Sequence, residues 1–147
     1  MTGVQTCALP IYFILHPQLA GDCHLVGDLE LSRVLLLNDS RYPWVVLVPR
    51  RAAITEIYQL SRADRELLLD ESCRVGELLM RAFPGDKLNL GALGNLVPQL
   101  HVHLVVRRRD DPAWPGPVWG HSPGVPYPDA LSAKRVRLLR EALGLQG

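Results

Sequence analysis

The chain has 147 residues, 48% apolar and 21% charged, with 12 Gly and 12 Pro, the profile of one compact domain rather than a disordered, collagenous or membrane chain. Sixteen Lys and Arg against fifteen Asp and Glu leave a formal charge of +1, too balanced to grip nucleic acid through bulk electrostatics. Three cysteines with no C-x-x-C pair argue against a disulfide framework or zinc ribbon and for a reducing cytosol, and no apolar run approaches the roughly 18 residues of a membrane span.

Residues 1–11 stand apart. The run Thr2–Ile11, TGVQTCALPI, looks like the in-frame translation of a common sequencing-library adapter, which puts the folded domain at 12–147 and the natural start near Tyr12 or Phe13. The other reading is a genuine apolar N-terminal strand. Beyond it, Leu31–Leu37 and Trp44–Val48 are short runs of Val, Leu and Trp separated by the turn-forming cluster Asn38-Asp39-Ser40-Arg41-Tyr42-Pro43, which predicts an antiparallel pair of strands. From Ser61 to Phe83, Leu67, Leu68, Val75, Leu78, Leu79 and Phe83 fall near helical spacing, with Ser61 and Asp64 placed as a cap and Pro84-Gly85 as a stop. Lys87–Leu90 begins another strand, Gly91–Gly94 interrupts it, and Val97–Arg107 alternates again. A Pro- and Trp-rich extension runs from about Asp111 to Pro128, and a terminal helix, Asp129–Leu143, closes at Gly144. The predicted fold class is α+β: one domain with a mostly antiparallel sheet, a long central helix and a C-terminal helix.

The segment Gln99-Leu100-His101-Val102-His103-Leu104-Val105 carries the chemistry. Side chains on a strand alternate faces, so Leu100, Val102, Leu104 and Val106 turn to the core, while Gln99, His101 and His103 share the other face about 7 Å apart. A row of nitrogen groups then aims at one ligand. The plainer reading is a solvent face that happens to carry two histidines. A metal is a weaker reading still, because the local sequence offers no third ligand.

At these residues the sequence resembles the histidine triad family, whose signature His-x-His-x-His followed by two apolar residues stands here as Gln99-x-His101-x-His103-Leu104-Val105. The resemblance runs from about Leu35 to Arg107. It takes in Leu47-Val48-Pro49-Arg50-Arg51, Asn89 and Gly91–Asn95. Val97–His101 and the extension Asp111–Gly120 look like a bacterial branch of the family. The resemblance implies a nucleotide hydrolase or transferase, without a cofactor or a metal in the chemical step, in which His101 attacks an α-phosphate and forms a nucleotidyl-histidine that water releases. Imidazole is chemically suited to that role near neutral pH. His103 and Gln99 would donate to phosphate oxygens, and a main-chain carbonyl from the preceding loop would set the tautomer of His101. Asn38 would hold ribose hydroxyls, with Leu37 near the base, and Asn89 and Asn95 would flank the phosphates. The glycines of Gly91–Asn95 would let backbone N–H groups approach. The resemblance also implies a homodimer with joined sheets.

The departures are specific. Gln99 replaces the first histidine, removing a proton carrier but keeping an amide donor. Trp44 and Ala52 lie where many relatives carry further histidines, and Leu96 where many carry Ser or Thr. Arg50 and Arg51 either face a polyphosphate or simply solvent, Arg107-Arg108-Arg109 reads as a solvated strand end, and His16, His24 and His121 fit no pattern and default to the surface. Trp114 and Trp119 either cover the site or pack the tail. Three functions follow: a cytoplasmic enzyme cleaving a dinucleoside polyphosphate or nucleoside phosphoramidate, a non-catalytic nucleotide-binding module, or a dimeric scaffold whose Trp-rich tail binds a protein.

Overall fold

A computed structural model describes residues 12–145; the proposed adapter segment, with Cys7, lies outside them. The element order is α1 (Pro17–Asp22), β1 (Cys23–Asp28), β2 (Ser32–Leu37), β3 (Trp44–Pro49), a short 3-10 turn (Ile57–Gln59), α2 (Arg62–Ala82), β4 (Lys87–Gly91), β5 (Val102–Arg107) and α3 (Asp129–Leu143). The strands form one five-stranded sheet in the order β1-β2-β3-β5-β4, and every pairing is antiparallel. This is the predicted α+β architecture. The predicted elements form, and α1 and β1 join them; the alternation in Cys23–Asp28 is blurred by a register shift between Leu25 and Gly27, which hides the strand from a period-two reading.

The helices begin and end where local chemistry says they should. Ser61 Oγ accepts the Asp64 N–H at 3.1 Å at the start of α2, satisfying one of the free amides of the first turn. Gly144 closes α3 in the left-handed region at φ 71°, a conformation that costs glycine nothing. Leu68, Val75 and Leu79 form the buried stripe of α2, and each such side chain stabilises the fold by about 1.5–3 kcal/mol.

Both faces of the sheet are covered. Val34, Leu36, Val45, Leu47, Leu104 and Val106 pack against α2 and α3 through Val75, Leu79, Leu139 and Leu143. On the opposite face Leu35, Trp44, Val46, Val48 and Val105 pack beneath Leu19 of α1 and Ala113 and Val118 of the extension. The central strands β3 and β5 are therefore buried along their whole length. The predicted strand over Val97–Arg107 is shorter than expected: β5 starts at Val102, and Val97–His101 is irregular backbone, held by the Leu100 N–H on the Ile54 carbonyl at 2.9 Å.

The expectation of a solvated strand end at Arg107 is corrected. Arg107 is 1% exposed, pairs with Asp111 through two bonds of 2.8 and 3.0 Å, and lies against the rings of Tyr42 and Trp114. Asp111 in turn accepts the N–H groups of Arg108, Ala113 and Trp114, so the pair starts the fold of the extension and pins it to the sheet. The charge is buried because its partner stands four residues on, in a segment that folds back over it. Arg50 donates to the carbonyls of Leu29 and Glu30 and Arg51 pairs with Asp64. Both arginines therefore tie loops together.

Candidate active site

The open end of β5, the loop after β4 and the extension enclose a cavity of about 700 Å³, whose walls include Leu37, Asn38, Trp44, Asn95, His101, His103 and Trp119. His101 and His103 are 7% and 8% exposed, with ring centroids 4.9 Å apart. Burial matters here because it makes every hydrogen bond to the rings a determinant of proton position.

The two rings are held in opposite tautomers. His101 Nδ1 lies 2.7 Å from the Gln99 carbonyl; a carbonyl only accepts, so Nδ1 carries the proton and in the neutral ring Nε2 keeps the lone pair. His103 Nδ1 lies 2.9 Å from the Trp44 indole Nε1; an indole N–H only donates, so in the neutral ring the proton of His103 sits on Nε2. One histidine thus offers a nucleophilic nitrogen and its neighbour a hydrogen-bond donor. His103 stays neutral because burial, with the neighbouring His101 adding to it, pushes its pKa down from 6.5 to about 4. The expected main-chain carbonyl for His101 is that of Gln99, two residues before it.

The other predicted residues fall in three places. Asn38 lines the cavity, its Oδ1 accepting the Tyr127 N–H at 2.9 Å and meeting His24 Nε2 at 3.2 Å. Asn95 lines the same cavity and is exposed. Asn89 does not line it: it stands on β4, where its Oδ1 accepts from Arg107 at 2.9 Å. Gln99 also turns away, its Nε2 donating to the Ile14 carbonyl at 2.9 Å and its Oε1 accepting the His16 N–H at 2.8 Å. Neither amide faces the space between the histidines.

The sequence reading left several site residues without a settled role. Trp44 entered it only as a departure from the family pattern, yet its indole sets the tautomer of His103. Trp119 meets the His103 ring edge-on at 5.6 Å and fits because Gly91 has no Cβ, which would stand 3.2 Å from the indole. Gly94, at φ 73°, turns the loop that borders both the cavity and His101 in the left-handed region. Asp39 also lines the cavity; burial opposes its ionisation, but bonds from Arg41 override this and hold its carboxyl below the usual range. The alternation of β3 is the local signal for Trp44, since it places that residue on the face of Val46, which pairs with His103. Among the described residues no cluster of three His, Cys, Asp or Glu is arranged to hold a metal ion, and no helix is long and apolar enough to cross a membrane.

Comparison with known proteins bears on the fold and the family. No curated protein matches the chain. A histidine triad protein from Marinobacter aquaeolei VT8 superposes with a TM-score of 0.88 at 50% identity, over 90% of this chain and 97% of that one. One from Bradyrhizobium japonicum gives 0.87 at 43% identity, over 89% and 98%. The NitFhit protein of C. elegans, at 18% identity and a TM-score of 0.61 over 91% of this chain and 30% of its own, shares the fold alone. With the HIT domain model matching residues 18–110, the chain belongs to the histidine triad family.

Proposed function

We propose that this chain is a cytoplasmic nucleotide hydrolase or transferase that cleaves at the α-phosphate of a nucleoside phosphate through a nucleotidyl-histidine on His101. The observation that carries the reading is the Gln99 carbonyl on His101 Nδ1 at 2.7 Å, which leaves the Nε2 lone pair available at the cavity. Attack of Nε2 on phosphorus forms a P–N bond as the bond to the leaving group breaks, and the leaving group departs with the electron pair and takes a proton from solvent. Water then attacks phosphorus and gives up a proton to solvent, the P–N bond breaks with its electron pair returning to Nε2, and neutral imidazole returns. His103, neutral with its proton on Nε2, donates to a phosphoryl oxygen throughout. Asn38 and Asn95 border the nucleoside and phosphate ends, whereas Asn89 bonds to Arg107 away from the cavity.

Among the described residues the walls of the cavity carry Asp22 and Asp39, the latter paired with Arg41, but no Lys or Arg. Such a lining favours a substrate with a single phosphoryl group, a nucleoside phosphoramidate, over a dinucleoside polyphosphate. We also read the chain as a homodimer: β4 is a sheet edge, and Leu90, Leu93 and Leu96 beside it are 57%, 47% and 95% exposed, an unpaired edge with an apolar flank that suits a second copy.

The test is intact-mass spectrometry of the protein incubated with adenosine and guanosine phosphoramidates and dinucleoside polyphosphates, quenched without acid. A nucleotidyl adduct mapped to His101, absent from His101→Ala while nucleotide affinity stays within about threefold, is the expected result. Nucleotide binding with neither adduct nor product would make the chain a binding module; failure to bind any nucleotide would leave the scaffold reading.

A further inference from the structure

Gln99 stands at the first position of the triad, yet both atoms of its amide are engaged with one short stretch of backbone. Nε2 donates to the Ile14 carbonyl and Oε1 accepts the His16 N–H. A primary amide offers its donor and acceptor side by side, as a peptide unit does, and so can pair with a carbonyl and an N–H two residues apart in the manner of a neighbouring strand. Imidazole cannot, because its two ring nitrogens diverge.

The stretch so fastened leads directly into the site. Phe13 and Leu15 pack on the buried face of the sheet, His16 Nδ1 accepts the Gln18 N–H and starts α1, and Leu19, 4% exposed, reaches the cavity wall with Gly21 and Asp22. The far end is tied as well, by the N–H of Asn38, the predicted ribose ligand, on the Asp22 carbonyl at 3.0 Å. We propose that Gln99 is a positioning residue: it latches residues 12–22 across the sheet so that α1 forms one wall of the nucleoside cavity, and it sets substrate affinity rather than the chemistry at phosphorus. The replacement of histidine by glutamine then exchanges a proton carrier for a backbone clasp.

This deepens the function proposed above, and one of its two readouts is independent of that function. In the full chain without ligand, amide exchange at His16 reports the latch directly; Gln99→Ala is expected to speed it about tenfold or more, with β3 and β5 amides unchanged as the control for folding. With adenosine 5′-phosphoramidate as substrate, Gln99→Ala and Gln99→His are both expected to raise KM about tenfold while kcat stays within about twofold. An unchanged His16 exchange rate in Gln99→Ala overturns the latch. A Gln99→His variant that keeps KM and shifts kcat overturns it too, by placing position 99 in the chemistry. If the wild-type protein turns over no nucleotide, the function fails while the exchange experiment still decides the latch.

Discussion

Replacing His103 by Gln should flatten the acid dependence of stability. In the fold the His103 ring holds off its proton until about pH 4, whereas the unfolded chain takes one up near 6.5. Between those values the unfolded state binds more protons, so stability falls as pH drops, by 1.36 kcal/mol per pH unit at most. Across the whole window the loss from this one ring is about 3 kcal/mol, fully avoided above 6.5 and fully incurred below about 4. Gln retains an acceptor for the Trp44 indole but cannot titrate. Urea unfolding at pH 7.5, 6.5, 5.5 and 4.5 should show wild type losing stability faster than His103→Gln, with the gap widening by about 2 kcal/mol between the first and last points. Parallel pH profiles would refute the assignment of a buried, neutral His103. NMR of the wild-type ring should agree, with the Nε2-protonated form persisting at pH 5.

Trp44→Phe keeps the aromatic packing but removes the indole N–H, so His103 should become a mixture of tautomers and the fold should lose about 1–2 kcal/mol; long-range nitrogen–proton correlation reads the tautomer, and a ring still wholly Nε2-protonated would contradict the role given to Trp44. Arg107→Met leaves the Asp111 carboxylate buried without its partner and should cost about 3–5 kcal/mol by chemical unfolding. Adding Asp111→Asn should recover part of that loss; equal stability of wild type and Arg107→Met would show that the pair does not anchor the extension.

What the sequence determined by itself was whatever depends on neighbours along the chain. The Ser61 cap, the stop at Pro84-Gly85, the Gly144 closure and the turn Asn38–Pro43 each rest on a few adjacent residues, and the alternation of β5 sufficed to send Val102, Leu104 and Val106 to the core and to leave His101 and His103 together. The resemblance to the family signature added the expectation that His101 is a nucleophile and needs a carbonyl on its far nitrogen. Tertiary structure decided the rest, because each remaining feature joins residues far apart in the chain. Trp44 and His103 meet across two strands, and only their pairing register fixes which ring nitrogen is protonated. Arg107 appears solvated until the extension folds over it and supplies Asp111. Gln99 could have met phosphate or backbone, since an amide suits both; its engagement with Ile14 and His16, 85 and 83 positions away in the chain, is a consequence of how residues 12–22 lie against the sheet, which no local pattern encodes.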